Sequence, residues 1–589
     1  MAVTVINEDS KLDRIPRFNT GESDFKSIIL GDFAYVDKTH FIKRWWDSGT
    51  KISLIVRPRR FSKTTIMSTV KYYFSAKDLK FLFGDTYIYK NAPVDLVAAR
   101  EEVIPIMLTF KGIVGKTPRK LFKGLHIQIR LTTMDYPELY SEFGEEYEKF
   151  PSIGETLEDC EDLLALFTLF LHYIYKSTDK KLIVLIDEYD KFLADAALVS
   201  EKGEHPDYFD EVLDVYRSFL VSLLKDTEFV ERAILTGVLP LAANSVLSAF
   251  NNAVKDTFLQ TTYEDVFGFT IKELTAIFSA AKGEEWKQAI QYFDSYNSGT
   301  RPVYNTWSII NMSPEKDDIW ELYTTGMNTW VTSGSSDWIE YGKNLSSDEL
   351  DIVYNLISGG EHTVRLNHEL NYKDRKDSLD NFLTYAFYTG YLTFTSHEKD
   401  SVSLAIPNAE VKDAWVRNLN KLVIAPDKSV NWGKILADLE EGAHSERKFE
   451  ALLMDFLEQC TSTWDLQERD KENSYHMYVL GLLSSLVGSH NVKSNREAGK
   501  GRFDIAVEPT SFNYKARNYV FEIKRSSSEN KLQSDVDDAV AQVAENNYRQ
   551  FFENSNDMVV IGLAAHKKKV KVKIKVIPYE ISPIKQALR

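Results

Sequence analysis

The sequence predicts an α/β protein in three parts: a parallel-sheet domain, a helical, winged-helix-like middle and a smaller α/β domain at the C-terminus. Three observations predict it. Between about residues 24 and 270, short β-branched apolar runs alternate with helix-like stretches, the pattern of a sheet covered by helices on both faces. Residues 271–425 are mostly helical in pattern and rich in aromatics, and beyond residue 450 strand-like alternation returns.

The elements follow in order. Residues 1–23 read as an N-terminal arm, and 24–270 as the first domain. Within it Ile52–Val56 is a buried strand, followed by an Arg/Pro-rich turn and a helix through Phe74. Leu164–Tyr175 is an apolar helix, and Leu182–Ile186 is a second strand that ends in Asp187-Glu188. Ala233–Gly237 is a third. In the middle part, 271–425, two alternating runs flank a polar turn at Tyr391–Ile406, which predicts a hairpin and, with the helices, a winged-helix-like module. Residues 426–449 read as a linker, and 450–589 as the last domain.

Charge and composition narrow the function. The 589 residues carry a net charge of -16, but residues 471–589 hold 19 Lys+Arg against 13 Asp+Glu. The acidic bulk repels phosphate and the C-terminal part attracts it. The basic run Lys567–Lys575 fits either a solvated strand face or a nucleic-acid contact. Two cysteines, Cys160 and Cys460, match no zinc spacing and no disulfide framework. The N-terminal MAVTVINEDSKLDR lacks a secretory pattern, and Leu163–Tyr175 is too short for a bilayer of about 20 residues. An intracellular protein, cytoplasmic or nuclear and without a membrane span, is the expectation.

After the first strand, Val56-Arg57-Pro58-Arg59-Arg60-Phe61-Ser62-Lys63-Thr64-Thr65 supplies a turn, a lysine, hydroxyls and a helix start, the parts of a phosphate-binding P-loop. Arg57 and Ser62 stand where that loop usually has glycine, and a side chain at a left-handed Ser62 costs about 1 kcal/mol. Lys63 would reach the β- and γ-phosphates of ATP, and Thr64 would hold Mg²⁺. Arg57, Arg60, Ser62 and Thr65 complete the expected nucleotide contacts; Arg59 would bind phosphate with Arg57 and Arg60, and pairing of these arginines with the acidic surface is the alternative. At the end of the second strand, Asp187 would act through the Mg²⁺ shell and Glu188 would orient or deprotonate the attacking water. Thr236 would sense the γ-phosphate. Arg232 and Arg301 are two candidates for a transition-state arginine, and nothing in the sequence selects between them.

A second constellation lies near the C-terminus. Asp504 sits in the strand-like Gly501–Val507, and Glu522 and Lys524 share one face of Tyr519–Lys524 because strand side chains alternate. Antiparallel pairing would bring Asp504 beside Glu522. Two carboxylates and a lysine converging are what Mg²⁺- or Mn²⁺-dependent phosphodiester hydrolysis needs. A surface hairpin with alternating charges is the plain alternative, although it leaves Asp504 unexplained.

These residues resemble known families. Tyr35-Val36-Asp37-Lys38-Thr39, the RPRRF-x-KT loop, Leu185–Asp190, Leu235–Val238, Phe250-Asn251-Asn252, Phe267–Thr270 and Tyr304-Asn305-x-Trp307-Ser308 resemble the AAA-ATPase-like domain found fused to PD-(D/E)XK nucleases. There the loop usually reads RPRRFGKS, so Arg57 follows the pattern and Ser62 departs from it. Glu497-x-Gly-x-Gly-Arg-x-Asp504 and Glu522-x-Lys524, with Gln542 and Tyr548 downstream, resemble the PD-(D/E)XK core, whose fold is restriction-endonuclease-like. The resemblance implies metal binding by Asp504, Glu522 and Glu497 or Glu472, water positioning by Lys524, and a phosphate or metal-water contact from Gln542. It also implies DNA as the expected substrate and a setting in mobile-element biology. Assembly of several copies is compatible with an ATPase, without a signature here. Two other readings stay open: a non-catalytic nucleotide switch, and an active nuclease on a degenerate ATPase scaffold.

Overall fold

The computed structural model describes residues 4–111, 113, 117–137, 157–201, 206–225, 227–240, 253–280, 286, 293, 295–311, 347–357, 359–412, 414–415, 446–447, 449–451, 453–454, 475–476, 479, 483, 490–498, 501–509, 517–545, 548, 552 and 556–578. Phe250-Asn251-Asn252, Glu472, Cys460 and most of the 426–449 linker lie outside them. The chain divides into two compact units, Met1–Asp317 with Thr363–Asn408, and Asp318–His362 with Ala409–Arg589.

In the first unit, five strands form one sheet: β1 (Ile52–Val56), β2 (Val103–Thr109), β3 (Lys181–Asp187), β4 (Val230–Gly237) and β5 (Ala253–Asp256). Their order is β2-β3-β4-β1-β5 and every neighbouring pair is parallel. β1 is buried along its length and β3 everywhere but its first residue, which explains their unbroken apolar runs. β4 separates β1 from β3, so Ile55 pairs with Thr236 and Thr236 with Asp187. That register lines up the carboxyl ends of three strands, where open α/β sheets hold ligands. The two edge strands escaped the sequence reading. β2 carries Pro105, tolerated because β2 is an edge, and β5 has only four residues of mixed polarity.

Helix α1 (Lys63–Ser75) follows β1 directly. The region expected to be mostly helical also holds two small three-stranded sheets, a correction to the sequence reading. One orders Phe269–Thr270, Arg301–Tyr304 and Tyr296–Ser298; the other orders His362–Arg365, Ser401–Ala405 and Thr393–Glu398. The predicted hairpin is present, with Phe394 opposite Leu404. Beside it α2 (Leu379–Thr389) starts at a Ser378 cap and ends at Gly390, whose φ of 89° is the left-handed stop that glycine permits.

The second unit carries a mixed sheet of β6 (His490–Ala498), β7 (Gly501–Pro509), β8 (Asn518–Arg525), β9 (Met558–His566) and β10 (Lys569–Ile577), ordered as in sequence. Only β8 and β9 are parallel, joined through helix α3 (Leu532–Glu545). Val536, Ala539, Val540 and Val543 make the buried face of α3. Gly562 on β9 permits its close approach, since a Cβ there would lie 2.6 Å from Val540 Cγ2. Among the described residues no helix is long and apolar enough to cross a membrane.

Two candidate functional sites

The loop between β1 and α1 takes its shape from side chains sent three ways. Arg57 turns back into the core: its guanidinium is fully buried, ion-paired with Asp256, and bonded to the Val56 and Asp256 carbonyls at 2.9 and 3.0 Å. Phe258 and Phe267 cover it at 5.1 and 5.0 Å. This corrects the expectation that Arg57 touches phosphate; it fastens the loop to β5. Arg60 lies with its guanidinium 4.0 Å from the Trp307 ring, and its carbonyl accepts from Thr306 Oγ1 at 2.7 Å. Its guanidinium is thus engaged by an aromatic face. Ser62 adopts φ 58°, the left-handed conformation a glycine would take, and its hydroxyl lies 3.1 Å from Thr306 Oγ1. The Asn305–Trp307 stretch, noted in the sequence without a role, thus braces the loop.

Lys63 opens α1 and is buried, with Nζ donating to the Arg57 and Pro58 carbonyls at 2.8 and 2.7 Å. Burial pushes its pKa down to about 8, against the pull of Glu188, Asp187 and Asp190. Asp187 is fully buried and accepts from Thr64 Oγ1 at 2.8 Å and from Thr236 Oγ1 at 2.6 Å. The sheet register therefore brings Lys63, Thr64, Asp187 and Thr236 together. Glu188 has φ 54°, a strained position for a non-glycine residue, and burial followed by the charge of Asp187 raises its pKa. Asp190 is occupied: it accepts from the Val238 and Leu239 amides at 2.9 and 2.8 Å and from the Tyr372 hydroxyl at 2.9 Å. Thr65 faces a neighbouring cavity lined by Phe18, Tyr35, Val36, Ile66 and Phe269.

In the second unit, Ile505 opposite Phe521 sets β7 against β8 so that Asp504 Oδ2 accepts from the Ile523 amide at 2.7 Å. Glu522 is buried, and Lys524 Nζ lies 3.6 Å from its Oε1. Gln542 on α3 ties the pair together, accepting from Lys524 Nζ at 2.6 Å and donating to Glu522 Oε1. His476 Nδ1 stands 4.0 Å from Asp504 Oδ1. Glu497 is on β6 opposite Arg502, and its side chain is not among those described.

Residues 19–247 match the family model described as predicted AAA-ATPase, and residues 470–575 match that of the PD-(D/E)XK nuclease superfamily. The chain joins an AAA-ATPase-like domain to a PD-(D/E)XK nuclease-superfamily domain. No curated protein matches it.

Among the described residues no group of three or more His, Cys, Asp or Glu forms a ready metal cage. The donor set of the nuclease-superfamily domain nevertheless fits a hard cation: Mg²⁺ keeps several waters and needs only one or two carboxylates, which Asp504 and Glu522 would supply. In the AAA-ATPase-like domain, the Thr64 hydroxyl beside the Asp187 carboxylate fits the same ion, and the helix start at Lys63 fits phosphate. Arg59 is one of the three loop arginines that the sequence offers for phosphate. It is exposed to water, and Glu188 and Asp190 are near enough to act on its charge. Its position inside RPRRF was the available signal, but three arginines in one loop look alike in one dimension.

Proposed function

We propose that this chain is a metal-dependent nuclease hydrolysing phosphodiester bonds, DNA in the first instance, under the control of ATP bound at its AAA-ATPase-like domain. The observation that carries the reading is the Asp504–Glu522–Lys524–Gln542 constellation on two adjacent strands and the helix packed against them. A divalent ion between Asp504 and Glu522 would offset phosphate charge and acidify a bound water. Lys524, steadied by Gln542, would hold the attacking water by its ammonium group. Glu522 is kept in place by Gln542, and Asp504 by the Ile523 amide, so neither has to reorganise when substrate arrives.

For the nucleotide, Lys63 would exchange its two loop carbonyls for phosphate oxygens, and the apolar cavity beside Thr65 would take the base. Glu188 is the proposed water-orienting group. A second reading, binding without turnover, is favoured by Ser62, whose hydroxyl is tied to Thr306 where the usual loop has no side chain.

The test is cleavage of supercoiled plasmid, with single-stranded RNA in parallel, in Mg²⁺, Mn²⁺ or EDTA, with and without ATP. The expected result is metal-dependent nicking that Asp504→Ala and Lys524→Ala abolish and ATP modulates. Equal activity in wild type and both variants would remove the nuclease assignment.

A further inference from the structure

We infer that Arg59 is the residue by which the AAA-ATPase-like site recognises the terminal phosphate of a nucleoside triphosphate, an inference that rests on the nucleotide reading above. The other arginines near the site are held by partners of their own. Arg57 is consumed by Asp256 and Arg60 by Trp307, both through partners distant in sequence. The two arginines offered by the sequence are also committed. Arg232 donates to the Trp45 and Trp46 carbonyls at 3.0 and 2.6 Å and lies 4.2 Å from the Trp46 ring. Arg301 pairs with Glu264 at 3.0 Å.

Arg59 differs from all four. Among the described residues its guanidinium takes no hydrogen bond or ion pair, although Glu188 and Asp190 are near enough to act on its charge. Of the acids that act on the charge of Lys63, Asp187 is engaged by two hydroxyls and Asp190 by two amides and a phenol. Glu188, like Arg59, has no hydrogen bond from its side chain among the described residues, and it too is within range of Lys63. An arginine and an acid without side-chain hydrogen bonds among the described residues thus lie within electrostatic range of one another, next to the loop whose carbonyls hold Lys63. A ligand that satisfies both needs negative charge for the arginine and a water for the glutamate. The terminal phosphate of a triphosphate meets both conditions, because a guanidinium fork matches phosphate oxygens. A diphosphate would leave Arg59 without that partner.

The experiment is calorimetric titration of the full-length chain, with Mg²⁺, by ADP and by a non-hydrolysable ATP analogue. Wild type is compared with Arg59→Ala, Arg59→Lys and Lys63→Ala. Arg59→Ala is expected to weaken the triphosphate analogue about 10- to 100-fold, the scale of one charge-assisted phosphate contact, while ADP changes less than about two-fold. Arg59→Lys should recover part of the loss, and Lys63→Ala should weaken both nucleotides. Equal effects of Arg59→Ala on the two nucleotides, or none on either, would overturn the inference and leave nucleotide binding standing. A wild-type chain that binds neither nucleotide would overturn the nucleotide reading itself, and this inference with it. If Arg59→Ala does not fold, Arg59→Lys is held to the same comparison: an unchanged preference for triphosphate with a shorter, non-planar cation overturns the assignment of a guanidinium fork.

Discussion

Tyr372 donates its phenolic hydrogen to Asp190 Oδ2 at 2.9 Å, linking residues 182 apart in sequence across a buried contact. The same oxygen receives the Val238 and Leu239 amides, so one carboxylate joins the end of β3, the turn after β4 and the segment that leads into α2. The segment carrying Tyr372 is thereby tied to the carboxyl ends of β3 and β4. Tyr372→Phe removes one of three donors from a carboxylate that keeps two, and is expected to cost about 1 kcal/mol in urea unfolding of the first unit. A loss near zero would show that the phenol does not contribute.

Arg57→Ala separates a structural role from a phosphate-binding one. It strands the Asp256 carboxylate in the core, and breaking such a pair costs about 3–5 kcal/mol. The expected outcome is a large drop in unfolding midpoint that saturating nucleotide does not restore beyond its effect on wild type. A stable variant with weakened nucleotide binding would reverse the assignment.

Ser62→Gly sets two effects against each other. Glycine relieves about 1 kcal/mol of left-handed strain and loses a hydroxyl contact with Thr306 of similar size. Stability is therefore expected to stay within about 1 kcal/mol, while nucleotide affinity rises as the loop is freed from Thr306. Calorimetric titration of both proteins checks this, and reduced affinity in the glycine variant would contradict it.

Gln542→Ala leaves the Lys524 ammonium and the Glu522 carboxylate without the amide that spaces them. Cleavage is expected to fall about 10- to 100-fold, the usual effect of losing a partner that orients metal ligands. Gly562→Ala should act on the same site from a distance, because its methyl would press on Val540 and displace α3. Plasmid nicking together with thermal melting distinguishes the two: the first variant loses rate with little stability, the second loses both.

Acid should loosen the first unit through Asp265. Burial raises its pKa, but the Arg44 guanidinium, donating to both its oxygens at 2.6 and 3.0 Å, and the His40 ring 3.7 Å away outweigh that and hold the carboxylate well below its usual range. A lowered folded-state pKa means that the native protein binds fewer protons than the unfolded chain. The contribution is therefore complete above about pH 4 and is lost as pH falls further. Asp265→Asn should destabilise at neutral pH, and the gap to wild type should narrow toward pH 3 in denaturant titrations. A gap that widens on acidification would contradict the assignment.

How much of this was legible in one dimension can be argued from particular residues. β1 and β3 were legible because a strand buried on both faces has to be apolar throughout, and Asp187-Glu188 marked the ligand end. The pair Glu522 and Lys524 was legible from strand alternation, and Asp504 from the antiparallel return. The edge strand β2 was not, because Pro105 mimics a break unless the strand is known to lie at an edge.

The sequence by itself determined the residue types at both sites and the local elements that carry them, since helix and strand periodicity and the order of lysine, hydroxyl and carboxylate are properties of neighbours along the chain. Tertiary structure alone decided which of three adjacent arginines is available. Arg57 is taken by Asp256, 199 residues away, and Arg60 by Trp307, which leaves Arg59 without a hydrogen bond or ion pair from its guanidinium among the described residues. A loop imposes no period on its side chains, so their directions are set by whichever distant partners satisfy buried charge and aromatic surface, and those partners meet the loop only once the sheet has formed.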